Sequence, residues 1–505
     1  MATASAAAPV TLRKDAIGLR EVMFQSITDM APGAAIAASI PAGAAFAGGS
    51  LPLAVVFALI ACLFCAVSVS ELARHMPAAG SLATYAAQGL HKSAGFLVAW
   101  GYVFAGVLIS PLVLLQLGFT TASTLHDEFS GYPANLWWPW TVAGALLVMA
   151  AGLYGVRTST GLGTILGIFE IGVFLVLAVF LVVHAGHANT ASVFGTGHTP
   201  SAHLGITGVI AGSVYTILAF GGFEGAAPLA EETRNPRRTI RWAVLGATLS
   251  IGILYIFTTY AVDVAFGPGK FDTFAGAGPD SWEGLARSLY GIFWLFVFLA
   301  IVNSTIANAN AGVNVSSRTA YAMGRIGAFP YRLASIATRH RSPYLAILLV
   351  TACTIGISLG LGLHYDPETA FFMVGTGIVI VLVAIYILTN VTCIAYFTRR
   401  RRQDLNVVLH IVVPVLGVLA FIPAWLTAAG LKVFSFITKL QAPVSYAGPA
   451  VAIWMGLGII YLIWLLLRHP QRVADVALVH LDQVIEEEPE RGTDEPERGT
   501  VVPTG

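Results

Sequence analysis

Met30-Ala31-Pro32-Gly33 interrupts the first long apolar run of this chain, and Phe220-Gly221-Gly222-Phe223-Glu224-Gly225 interrupts a later one. Pro32 lacks an N–H and has a φ suited to the first turn of a helix, so a second half-helix starts there. Met30-Ala31 forms the extended joint before it, since a residue preceding Pro avoids the α region. Gly221-Gly222 give the second joint its conformational freedom. In a bilayer core, freed backbone groups are costly unless they line a cavity and bind something. Either interruption alone reads equally as a kink, because Pro and Gly are common in membrane helices. Paired interruptions at matching positions of two halves point instead to a binding site near the bilayer midplane.

The surrounding sequence supplies the membrane. Of 505 residues, 56% are hydrophobic and 10% charged, whereas soluble domains carry about a quarter charged. Apolar runs of about 20 residues recur twelve times, near 24–48, 53–72, 94–121, 138–156, 162–183, 206–230, 243–266, 288–311, 343–363, 370–397, 407–428 and 447–467. With alternate crossings, all of the 27 Lys and Arg except Lys270, Arg287, Lys432 and Lys439 fall on one side. The positive-inside rule puts that side, and both termini, in the cytoplasm. The expectation is a multi-pass protein of the cell (cytoplasmic) membrane, in contact with the lipid bilayer. A signal peptide is not expected, because the first run is too long for an h-region.

Residues 1–20 read as a cytoplasmic arm, 21–468 as the twelve-span domain and 469–505 as a disordered tail. The tail repeats Glu488-Pro489-Glu490-Arg491-Gly492-Thr493 as Glu495-Pro496-Glu497-Arg498-Gly499-Thr500, a charged pattern unable to bury a core. The spans divide into five (about 21–186), five (about 204–400) and two (about 405–468). Five is odd, so the second group enters from the opposite side. The expected fold is an all-α integral membrane protein: a five-plus-five inverted repeat with helices 1 and 6 discontinuous, plus helices 11 and 12.

At the first joint the N–H groups of Gly33, Ala34 and Ala35 are expected to be free, at the positive end of a helix dipole that suits a carboxylate. At the second, carbonyls of residues 217–220, with those of Ile27 to Met30, form a negative pole suited to an ammonium group. An α-amino acid answers both poles. The candidate substrate-binding residues are therefore Thr28, Asp29, Met30, Ala31, Pro32, Gly33, Ala34, Phe220, Gly221, Gly222 and Phe223. Asp29, Glu170 and Glu224 lie deep in spans, where a charge costs about 2.5–3.5 kcal/mol on insertion scales. Removal from water favours the protonated carboxyl, which makes Glu170 and Glu224 candidates for proton coupling; a neutral carboxyl knitting helices together is the other reading. Asn303, Ser304, Thr305, Asn308 and Asn310 put a polar face on span 8, for interhelical hydrogen bonds or cavity lining. Glu71, Glu231 and Glu232, at cytoplasmic ends, are expected to pair with nearby Arg.

Other chemistries lack their residues. No Gly-rich Lys loop for phosphates is present, which argues against ATP-driven transport by this chain. Cys62, Cys65, Cys353 and Cys393 sit in apolar runs and read as small filler, not as a metal or redox set. No nucleophile–base pair converges, so an enzyme is not expected, nor a cofactor, a metal or a nucleic-acid partner.

At these motifs the chain resembles the amino acid–polyamine–organocation (APC) superfamily of permeases. TILAFGGFEGAAPLAEETRNPRR, ending at Arg238, looks like the family's sixth span and following loop. Ser70-Glu71-Leu72-Ala73 with Pro77-Ala78-Ala79-Gly80-Ser81 resembles its second span and re-entrant loop, and Ser317-Arg318 through Gly324-Arg325-Ile326-Gly327 and Pro330 resembles a later segment. The resemblance implies the inverted-repeat fold, alternating access, and an amino acid or related amine as cargo. Two departures stand out. The first joint reads Ala31-Pro32-Gly33 where the family more commonly has Gly-x-Gly, and Glu170 falls where several proton-coupled relatives have a Lys. The functional expectation is a secondary permease taking up amino acids, with protons as the coupling ion. A polyamine or amino-alcohol permease and an amino acid exchanger are the alternatives, and a non-transporting substrate sensor is a remote one.

Overall fold

The structure, a computed structural model, describes residues 17–77, 80–129, 131–133, 135–154, 160–277, 280–325, 329–337, 342–471 and 473. Most of the arm and the tail expected from the sequence thus lie outside the described residues, as do Ala78-Ala79, Ile326-Gly327 and the Arg157 region. Among those described, helices form the whole fold, and the extended pairing is one isolated bridge, Ile17 to Thr233.

The first rod is α1, Leu19–Asp29, followed after a two-residue joint by α2, Pro32–Ala34, which continues through a π-turn at Ala35–Ser39 and short helical turns to Ala47. A turn at Gly48–Ser50 leads into α3, Leu51–His75. Then come α4 (Lys92–Glu128), α5 (Trp138–Tyr154), α6 (Thr160–Ala185) and α7 (Ile206–Ala219), the last passing through a second joint into a 3-10 helix, Phe223–Glu232. The remaining long helices are α8 (Pro236–Phe266), α9 (Phe293–Arg325), α10 (Tyr344–His364), α11 (Pro367–Arg399), α12 (Val413–Ala428) and α13 (Ala447–Arg468). Pro begins α8 and α11 and stands in the first turn of α3, where its missing N–H costs nothing. Asp366 caps α11 by accepting the Thr369 N–H at 2.7 Å, satisfying one of the orphan donors of the first turn.

Among the described residues, ten helices are long and apolar enough to cross a membrane; the first, Leu19–His75, covers two of the expected runs, and the shorter α5 covers another. Their outer faces carry the apolar side chains that a soluble protein would bury. Ile453, Ile460 and Leu467 on α13 are each about two-thirds exposed or more, at the spacing of one helix face. Such a surface fits lipid. This is a multi-pass membrane protein.

Inside the bundle, α3 packs along α8, and α4 along both α9 and α11; α1 lies against α8 and α7 against α3. At one end, Glu71 of α3 is buried between Arg241 of α8 (3.5 Å), Arg74 (3.8 Å) and His410 (3.4 Å). The expected pairing of Glu71 with nearby Arg is thus present.

Candidate functional site

The two joints meet in the middle of the bundle. At the first, Met30 donates its N–H to the Ser26 carbonyl (3.1 Å) and Ala31 to that of Thr28 (3.0 Å). Ala31 is left-handed (φ 46°, ψ 65°), a conformation costing a non-glycine residue about 1–3 kcal/mol. At the second, Phe220 and Gly221 close tight turns onto Ile217 and Leu218, at 3.0 and 2.9 Å, and Gly222 takes φ 104°.

The joints are stitched to one another. Ser26 of α1 donates its hydroxyl to the Phe223 carbonyl (2.8 Å) and accepts the Ala226 N–H (2.9 Å). The Tyr255 hydroxyl of α8 lies 3.1 Å from both the Met30 and the Ala219 carbonyls, one from each joint. A Cβ on Gly222 would meet the backbone of Asp29 at 2.8 Å, and one on Gly225 would strike the Asp29 carboxyl. Small residues here let two backbones touch.

The freed backbone groups differ from the sequence expectation, because local and tertiary partners take most of them. Ala35 donates its N–H to the Ala31 carbonyl at 2.9 Å. The Gly33 N–H faces the Glu170 carboxyl, and a Cβ at Gly33 would meet the Ala300 carbonyl and Ser304 at 3.1 Å. Gln116 of α4 donates to the Ala34 carbonyl (3.0 Å), and Asn308 of α9 to that of Asp29 (2.9 Å). The carbonyls of 217 and 218 are taken by the tight turns.

Three carboxyls surround this junction. Asp29 accepts from Gln25 Nε2 at 2.9 Å. Glu224 accepts two phenols, Tyr102 of α4 at 3.0 Å and Tyr386 of α11 at 2.9 Å. Glu170 of α6 accepts from Asn303 Nδ2 at 3.0 Å, while the buried Ser304 hydroxyl faces it without a hydrogen bond of ordinary geometry. These partners are amides, phenols and a hydroxyl; none is a Lys or Arg. The arrangement can hold a cation.

Of the residues singled out in the sequence, Thr28, Asp29, Gly221 and Gly222 are half-buried, and Met30, Ala31, Pro32, Gly33, Ala34, Phe220 and Phe223 are buried. Phe220 packs edge-on against Tyr255 (5.3 Å) and Phe223 against Tyr386 (5.0 Å), so both act here as core. The polar face of α9 serves the first joint, Asn303 through Glu170, which faces Gly33, and Asn308 through the Asp29 carbonyl. Sequence reasoning missed Gln25, Ser26, Gln116, Tyr255 and Tyr386. Ser26, Gln25 and Gln116 were legible as polar residues within apolar runs; the two tyrosines carry no such mark. All four cysteines are free, and no cluster of metal-ligating side chains is present among the described residues.

The chain matches the family model described as amino acid permease over residues 21–474. It is similar to the low-affinity putrescine importer PlaP of Escherichia coli (strain K12), with 26% identity covering 82% of this chain and 85% of that protein. It is also similar to the branched-chain amino acid permease BcaP of Bacillus subtilis (strain 168), with 26% identity covering 68% and 74%. An uncharacterised transporter of Mycobacterium tuberculosis (strain ATCC 25618 / H37Rv) is 27% identical, covering 68% and 73%.

Proposed function

We propose, since the chain belongs to the amino acid permease family, that it is a secondary carrier of small organic amines working by alternating access. One observation carries this reading: Asp29, Glu170 and Glu224, none partnered by Lys or Arg among the described residues, gather where two broken helices touch. Carboxyls without a counter-cation in a low-dielectric interior favour a cationic ligand. Family and relatives are transporters, so no reaction is assigned. The packing supports the inverted repeat, for contacts recur at an offset of five spans: α1 on α8 with α7 on α3, and α3 on α11 with α8 on α6. The one-sided Lys and Arg support a cell membrane orientation with both termini in the cytoplasm.

The first joint favours an amine without a carboxylate over a zwitterion. Pro32 has no N–H, that of Gly33 faces Glu170, and that of Ala35 is bonded to Ala31. A cargo carboxylate is left with little more than the Ala34 amide. Glu170 occupies the pole that an amino acid's carboxylate would use. A polyamine-type cargo is therefore the better fit, and the alignment with the putrescine importer over most of both chains supports it. An amino acid is the second reading, favoured by the family description and the branched-chain permease.

The test is competition in proteoliposomes loaded for counterflow of labelled putrescine. Ornithine is putrescine bearing a carboxylate, so the pair isolates that group. Putrescine is expected to compete at least about tenfold better than ornithine, the equivalent of about 1.4 kcal/mol. Ornithine or leucine competing better than putrescine would establish the amino acid reading. No counterflow of any amine would refute the carrier. Glu170 and Glu224 are also assigned to proton coupling: Glu170→Gln or Glu224→Gln is expected to weaken cargo binding and to lose stimulation by an inward pH gradient in the transport that remains, and unchanged stimulation in both removes that assignment.

A further inference from the structure

At the end of the bundle where Glu71 is buried, away from the joints, a hollow of about 240 Å³ is lined by Arg74, His75, Arg237, Arg401 and Asp404. Its walls come from three places in the chain: the last turn of α3, the first turn of α8 and the segment just after α11. Three guanidiniums and an imidazole face a single carboxylate.

That carboxylate does not saturate them. Asp404 lies 3.8 Å from both His75 Nε2 and Arg401, longer than a hydrogen bond. Among the described residues Arg74 pairs with Glu71 alone, also at 3.8 Å, and Glu71 is shared with Arg241 and His410. Arg237 is exposed and forms no ion pair among the described residues. His75 is fixed from behind, its Nδ1 hydrogen-bonded to the Glu71 carbonyl at 2.9 Å and its ring edge-on to Phe397. The result is a concavity lined by three guanidiniums and an imidazole whose carboxylate neighbours lie no closer than 3.8 Å.

We propose that this hollow binds a phosphate-bearing anion. Guanidiniums are suited to phosphate oxygens because the planar fork donates two parallel hydrogen bonds. Phosphate dianion neutralises the excess positive charge and supplies the acceptors that Asp404 cannot. Basic pockets at a membrane end take phospholipid head groups, and soluble phosphate offers the same oxygens. Bound there, the anion ties α3 and α8 to the segment following α11. Because α11 carries Tyr386, which holds Glu224, the anion sets how freely that helix moves against α3 and α8.

The full chain is tested in neutral detergent and in phosphatidylcholine nanodiscs. Inorganic phosphate is titrated against chloride at matched ionic strength, and phosphatidic acid is titrated into the nanodiscs. A saturable rise in melting temperature of about 2 °C or more is expected from at least one of them, by mass action. A response to phosphate assigns a soluble anion; a response to phosphatidic acid alone assigns a lipid head group. Arg237→Gln and Arg401→Gln, both at exposed positions and so compatible with folding, are each expected to weaken the response about tenfold, as loss of one charge-assisted fork does. Absence of any response beyond chloride, or an undiminished response in both variants, overturns the proposal. The readout is independent of transport, so it stands or falls separately from the carrier reading.

Discussion

Adding one methyl group at Gly222 tests whether the meeting of the two joints is what the carrier depends on. Gly222 sits at φ 104° and ψ −2°, where an L side chain is strained by about 1–2 kcal/mol. The new Cβ would lie 2.8 Å from the carbonyl carbon, the oxygen and the Cβ of Asp29. Asp29 cannot simply yield, because its carbonyl accepts from Asn308 and its carboxyl from Gln25. Overpacking of this kind costs about 1–3 kcal/mol, which brings the total to about 2–5 kcal/mol. The strain is relieved by parting the joints, so it falls on the touching arrangement and not on the whole fold. Since 1.4 kcal/mol is a factor of ten, Gly222→Ala should lower the initial rate of counterflow by at least about 30-fold. The assay is counterflow in proteoliposomes, with reconstituted protein quantified and checked for a single monodisperse peak. Gly456→Ala is the control: on α13, with nothing within 4 Å of its Cβ, it should match the wild type. Wild-type transport by a folded Gly222→Ala protein would refute the argument that the two backbones must touch.

Tyr102→Phe and Tyr386→Phe each remove one phenol from Glu224 and should each reduce uptake about tenfold, a charge-assisted hydrogen bond apiece. In a Glu224→Gln background the same changes should have much smaller effects, and equal effects in both backgrounds would show that the phenols act elsewhere. Arg241→Gln withdraws a partner from buried Glu71 and should destabilise by about 1–3 kcal/mol, with part of the loss recovered in the Glu71→Gln, Arg241→Gln double variant; a single variant melting like the wild type would contradict this. His203, in the loop before α7, is held below the ordinary imidazole value of 6.5 by burial, with its ring 5.2 Å from that of Phe46. It therefore contributes stability above about pH 6.5 that is lost as pH falls through the lowered value. Melting temperature should decline less steeply below pH 6.5 in His203→Gln than in the wild type.

Much of the fold was legible because a bilayer leaves a chain few choices. Long apolar runs must be helices, since no water is there to satisfy the backbone, and α3, α4, α6, α8 and α11 lie where those runs were read. Pro32 and the Gly221-Gly222 pair located both joints, because a missing donor and a missing Cβ are properties of the residues themselves. Glu71 was legible too, having Arg74 one turn away.

What the freed groups bind was not legible. Pro32 announces a joint in any fold, but only packing brings Glu170 of α6 to the Gly33 amide and leaves a carboxyl where free N–H groups open to a cargo carboxylate were expected. Tyr255 and Tyr386 look like aromatic filler in apolar helices, and their hydroxyls gain meaning from carbonyls and a carboxyl far away in sequence. The sequence by itself determined a membrane-embedded helical chain broken at Met30–Ala31 and Gly221–Gly222, because solvent and backbone chemistry act locally. The tertiary structure alone decided which partners satisfy those breaks, because hydrogen bonds at about 3 Å depend on how distant helices are set against one another.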